Sequence, residues 1–70
     1  MSPSEAFCSD LRSGLSVFQI LQPQVESGRY TPEQAADRAY GFAAISCPDE
    51  LRNNQGLRGY LEGWGINPDA

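Results

Sequence analysis

Between Thr31 and Pro48 the apolar residues recur at helical spacing. At 100° per residue Ala35, Ala36, Ala39, Ala43 and Cys47 share one face, and Glu33, Gln34, Asp37, Arg38 and Gly41 take the other. The start signal is strong. Thr31 suits an N-cap, Pro32 fits the first helical position where no N–H is needed, and Gln34 stands three residues on, where it completes a capping box. Tyr30 is placed to staple onto Ala35. The face is apolar but nearly smooth, so it predicts a neighbouring helix at close range, and the rest of the chain is expected to organise around it.

The N-terminal stretch repeats the start logic, with Ser2 as N-cap, Pro3 at the first position and Glu5 reaching back. Phe7, Cys8, Leu11, Leu15, Phe18 and Leu21 project to one side. Gly14 interrupts this run, because Gly-Leu-Ser followed by Gln19 reads as a C-cap and a fresh N-cap at Ser16. Two helices are expected, Pro3 to Ser13 and Ser16 to Gln22, with Pro23 closing the second because its ring collides with the preceding turn. Residues 23–30, PQVESGRY, then form a polar connection with Val25 tucked beneath it. Beyond the central helix, Ser46 as cap and Asp49 predict a short turn through Leu51 and Arg52. Asn53 or Asn54 caps a last helix from Gln55 to Gly63. Gly56, Gly59 and Gly63 lie together on it; an interior Gly costs about 1 kcal/mol relative to Ala, so close packing against another helix is expected. Gly65 ends the helix with Ile66 folding back in a Schellman-type contact, and residues 67–70 are expected to be a loose tail.

The elements predict an all-α fold, one domain over residues 1–70 built as a small bundle of four to five short helices. Seventy residues leave a core that is only marginally sufficient, which makes a staple valuable. Cys8 and Cys47 either form the one intramolecular bridge open to them or remain buried thiols. Closing a loop of about 40 residues stabilises by roughly 4 kcal/mol in the chain-entropy model and implies an oxidising compartment.

Charge narrows the function classes. Nine acidic residues face five arginines, with no lysine and no histidine, for a net charge of −4. Such a balance disfavours binding to nucleic acid or to an anionic membrane surface. No apolar run approaches a membrane-spanning length. MSPSEAF lacks the basic start and apolar core of a secretory signal, which leaves two expectations: the mature part of an exported protein behind an initiating Met, or a chain that stays inside the cell.

Catalytic chemistry finds few residues. Cys8 and Cys47 have no Cys-x-x-Cys spacing and no histidine to act as base. Asp49, Glu50 and Glu62 fall in a solvated turn and helix face, and the acids do not match a calcium loop. Gly56, Gly59, Gly63 and Gly65 follow no strand and so make no phosphate cradle. No enzyme activity, metal or cofactor is expected. What remains is the stripe of Leu57, Tyr60, Leu61 and Trp64, which serves either as core or as the anchor for a protein partner. Tyr40 and Phe42 are secondary surface candidates.

Taken together, Cys8, Leu11, Gly14 and Ser16, the capped helix from Thr31 and the alanine face ending in Cys47-Pro48 resemble the actinobacterial family called domain of unknown function 732. Its members are small, mostly exported mycobacterial helical proteins. The similarity runs from Phe7 to Pro48 on a loose motif: a Cys, a Leu three residues on, a Gly-x-Ser break and a closing Cys-Pro. The resemblance implies that Cys8 pairs with Cys47 and that the chain is secreted or associated with the cell envelope. Members open with a Phe-Leu, Leu and Gly-Ile segment before the first cysteine. Here LRGYLEGWGI, near the other end of the chain, has that character. A small protein of an actinobacterial phage fits the same residues. The resemblance implies no activity, so the expected function is a non-enzymatic, disulfide-stabilised protein-interaction domain. The alternative is a phage-encoded regulator that binds and inhibits a host protein in the host cytoplasm.

Overall fold

The computed structural model describes all residues, Met1–Ala70, and contains five α-helices and no strand. They are α1 (Pro3–Arg12), α2 (Val17–Glu26), α3 (Pro32–Ser46), α4 (Pro48–Asn53) and α5 (Gln55–Gly63). The first three begin on complete capping boxes: Ser2 with Glu5, Ser16 with Gln19 and Thr31 with Gln34. In each, the hydroxyl accepts from the third backbone N–H while the longer side chain accepts from the cap's own N–H, so two orphan donors are satisfied reciprocally. Asn54 caps α5 by accepting from the Leu57 N–H at 3.0 Å.

Helix ends are equally local. After α1 the Gly14 N–H reaches the Leu11 carbonyl and the Leu15 N–H reaches Asp10, the two bonds of a Schellman motif, with Gly14 at φ 99°. The same pair of bonds recurs where Gly28 follows α2 and Gly65 follows α5. The break expected at Gly14 is therefore a true helix end, followed by a fresh start at Ser16.

The alanine face organises the core. Ala35, Ala36, Ala39, Ala43 and Cys47 have no solvent exposure, and α1 makes its most extensive contact with α3. Because alanine projects so little, α1 packs closely on α3 and buries Phe7, Cys8 and Leu11, and the Phe42 ring lies against Phe7 at 5.7 Å between centroids. Cys8 and Cys47 are joined as a disulfide with Cα atoms 6.0 Å apart. Ser46 Oγ donates to Ser4 Oγ at 2.7 Å beside it.

Five expectations need correcting. First, Pro23 does not close α2: the helix runs three residues further, to Glu26, with Pro23 inside it. Leu21 and Val25, one turn apart, both pack on the core and hold the turn in place, while Pro23 lies on the exposed side. Second, Leu15 and Phe18 leave the apolar face of α1, because Ser16 restarts the helix and resets its phase; Val17 takes the buried position instead. Third, Ser46 does not cap α4. Cys47 holds that position with no side-chain cap bond, since the Ser46 hydroxyl is turned to Ser4. Fourth, the glycines of α5 do not sit against another helix: a Cβ at Gly59 or Gly63 would meet nothing within 4 Å, and one at Gly56 only the Asn54 side chain. Fifth, residues 67–70 are tied down. Pro68 is buried, Arg58 grips Asp69 through two bonds of 3.0 Å while also donating to the Leu51 carbonyl, and the Tyr40 hydroxyl donates to the Ala70 carbonyl at 2.6 Å.

Candidate protein-docking face

The stripe expected on α5 is divided by the fold. Leu57 and Leu61 are 1% and 0% exposed and belong to the core, so the expectation that they touch a partner is corrected: a fully covered side chain offers no contact surface. Trp64 is 44% exposed and Tyr60 is half-buried. Burial pushes the Tyr60 phenol above its ordinary pKa. Tyr40 and Phe42 are half-buried and already engaged, one with the Ala70 carbonyl and one with the Phe7 ring.

Trp64 shares a hollow with Phe18 of α2, a residue expected in the core but 61% exposed, and Leu15, in the turn before α2, is 41% exposed on the far side of Phe18. Two shallow apolar hollows open along this α2–α5 seam, one of about 300 Å³ reaching Leu15, Asn54 and Gly56, the other of about 260 Å³ reaching Val25, Pro32 and Trp64. Phe18 and Tyr60 line both and form the ridge between them. No charged side chain lines either hollow.

The signal that locates this face is present in the chain but is not periodic. Between Arg12 and Glu26 there is no charged residue, although 20% of the chain is charged. Projected from the Ser16 cap alone, Val17, Ile20, Leu21 and Val25 take the inner side and Phe18 falls at its edge.

Elsewhere the side chains are occupied or dispersed. Asp49 sits in the fork of Arg12, with bonds of 2.9 and 3.0 Å that hold its carboxyl below the ordinary range, while Glu50 accepts from the Asn54 amide. An aspartate kept ionised in this way is a poor proton donor. A wider hollow of about 520 Å³ on the outer side of α3 holds Arg29, Asp37 and Arg38, with the Arg38 guanidinium 5.4 Å from the Tyr30 ring centroid. It is larger than either hollow of the α2–α5 seam, yet its charges of both signs are well solvated, and apolar area removed from water is what drives docking. No helix is long and apolar enough to cross a membrane. No family model matches this chain, and neither a curated protein nor a solved structure matches it.

Proposed function

We propose that this chain is a non-enzymatic protein-interaction domain, held in shape by its disulfide and working in an exported or envelope-associated setting, with the α2–α5 seam as its docking face. The observation that carries the reading is the uncharged aromatic surface made by Leu15, Phe18, Tyr60 and Trp64. Exposed apolar clusters of this kind cost solubility on a small monomer, and interface anchors draw on the same residue types. The Cys8–Cys47 bridge supports the oxidising compartment, and the resemblance to the exported mycobacterial family agrees with it. An intracellular inhibitor of a host protein uses the same face, and differs in where its target resides.

Photo-crosslinking in an actinobacterial host tests this reading. A benzophenone-bearing phenylalanine at position 18 is expected to give one discrete adduct, with this chain or with another protein, that the same group at position 45 on the far side of α3 does not give. The compartment of the adduct separates the exported reading from the intracellular one. Equal, diffuse labelling from both positions overturns the docking role.

A further inference from the structure

We propose that the hollow on the outer side of α3 binds a small organic acid, a single carboxylate on an unbranched apolar tail. The carboxylate lies between Arg29 and Arg38, and the tail runs along α3 toward Ile45. This site is away from the α2–α5 seam and does not rest on the docking role.

The hollow follows one face of one helix. Gln34, Asp37, Arg38, Gly41, Phe42 and Ile45 line it at i, i+3, i+4, i+7, i+8 and i+11 along α3, and Arg29 and Tyr30, just before the helix, line it too. Polarity is sorted along that face. The polar and charged side chains come first, and Gly41, Phe42 and Ile45 continue the face without a charge. Ile45 is 77% exposed and a Cβ at Gly41 would meet nothing within 4 Å, so an open apolar lane leads away from Arg38. From Arg38 to Ile45 it is roughly 10 Å long at the helical rise.

Two arginines here are free. Arg12 and Arg58 are each forked onto an aspartate, whereas Arg29 and Arg38 make no hydrogen bond or ion pair within the chain. Both are supported from behind. The Arg38 guanidinium lies over the Tyr30 ring, which packs on the core, and the Arg29 N–H donates to the Gln24 carbonyl at 3.0 Å in the turn after α2. A guanidinium over a ring keeps its edge N–H groups for a carboxylate. Gln34 adds a donor, because the capping box uses its side-chain oxygen and leaves its amide N–H groups unpaired.

Asp37 sets the charge of the ligand. Two arginines and one aspartate give the hollow a charge of +1, which one carboxylate neutralises and a phosphate dianion exceeds. The other acids, which make the chain −4 overall, do not line it, and at physiological salt their field fades over about 8 Å. The solvation that keeps a protein from docking here does not exclude a small acid, which needs only its carboxylate paired and a short tail covered.

An NMR titration of the isotope-labelled, oxidised full chain with sodium decanoate tests the site. Saturable shifts are expected at the amides of Arg29, Arg38, Gly41 and Ile45, with a dissociation constant of about 1 mM or tighter, while Phe18 and the Trp64 indole stay in place. Acetate, the head alone, and decyltrimethylammonium, the same tail with the opposite charge, are each expected to bind at least about tenfold more weakly. Arg29→Gln and Arg38→Gln should each weaken decanoate about tenfold. Asp37→Asn should tighten it about threefold. All three positions are exposed, so the variants keep the fold, and unchanged spectra elsewhere verify it. A chain unmoved by about 10 mM decanoate, shifts centred on the α2–α5 seam, or decyltrimethylammonium binding as well as decanoate overturns the inference; so does decanoate binding that both arginine variants leave intact. A bound acid adds no protein adduct at position 45, so the crosslinking contrast with position 18 stands or falls separately.

Discussion

Cys8, midway along α1, and Cys47, at the junction of α3 and α4, lie with their Cα atoms 6.0 Å apart, and both side chains are buried. The closeness follows from the alanines that lead up to Cys47 along α3, since Ala39 and Ala43 leave α1 nothing bulky to ride over. The bridge closes most of the chain into one loop, with a sequence separation of 39. A loop of that length restricts the unfolded ensemble by about 4 kcal/mol, a large part of the roughly 5 to 15 kcal/mol that holds a domain folded. Urea unfolding with and without reductant is expected to show a midpoint lowered accordingly in the reduced chain. Coincident midpoints would mean that the bridge contributes nothing.

Enlarging the alanine ridge should separate the same two helices. Ala39 has no exposure, so Ala39→Leu puts three more heavy atoms into a space that is already closed. Overfilling a closed core costs about 1 to 3 kcal/mol, and the displacement also pulls Cys8 from Cys47. Thermal melts are expected to fall, and the fraction oxidised on refolding in a glutathione buffer to drop with them. An unchanged melt together with full oxidation would show that the ridge has slack.

Most of this fold is legible in short stretches of sequence, because its signals are local. Ser2 with Glu5, Ser16 with Gln19 and Thr31 with Gln34 declare three helix starts within four residues each, and Gly14 and Gly65 declare two ends. The alanine face was visible because a single helix carries all of it. The misread residues depend on distant partners or on phase. Phe18 projects to the core only when the phase of α1 is carried across Gly14, and Leu57 and Leu61 are ambiguous without the neighbouring helices that cover them. The tail could not be read as ordered, since Tyr40 and Arg58, which hold it, lie well before it in the chain. The glycines of α5 suggested close contact within the fold, whereas they face outward.

Pro23 gives a stabilising prediction. Inside α2 it cannot donate to the Gln19 carbonyl one turn back, a defect of about 3 kcal/mol in a helix interior, offset by up to about 1 kcal/mol because proline also restricts the unfolded chain. Pro23 is exposed, so Pro23→Ala removes no core contact. A gain of about 2 kcal/mol is expected in denaturant unfolding. A loss instead would indicate that the proline ring shapes the approach of α2 to α5, and the position of Trp64 emission would move with it.

Stability should also depend on pH on two separated limbs. Asp49 is held low by Arg12, Asp69 by Arg58 and Glu5 by the Ser2 backbone N–H, so each binds its proton less readily folded than unfolded. Their contribution is fully present above the ordinary values of 3.8 for Asp and 4.5 for Glu, and is lost as pH falls through the depressed folded values. Tyr60 acts in the opposite direction. Burial raises its pKa above 10.0, so its contribution is complete below that value and is lost as pH rises through the higher folded one. With no histidine in the chain, nothing in the side-chain set titrates strongly near neutrality. Melting temperature is therefore expected to be flat around pH 7 and to fall on both sides. Asp69→Asn should shrink the acid limb and loosen residues 67–70, which buried Pro68 and the Tyr40 hydroxyl still hold, while Tyr60→Phe should remove the alkaline limb that burial of the phenol creates. Both pairings are solvent-exposed, so about 0.5 M salt should flatten the acid limb while leaving the tyrosine limb in place. A melt that drops steeply between pH 6 and pH 8, about where an unperturbed imidazole would titrate, contradicts this assignment outright.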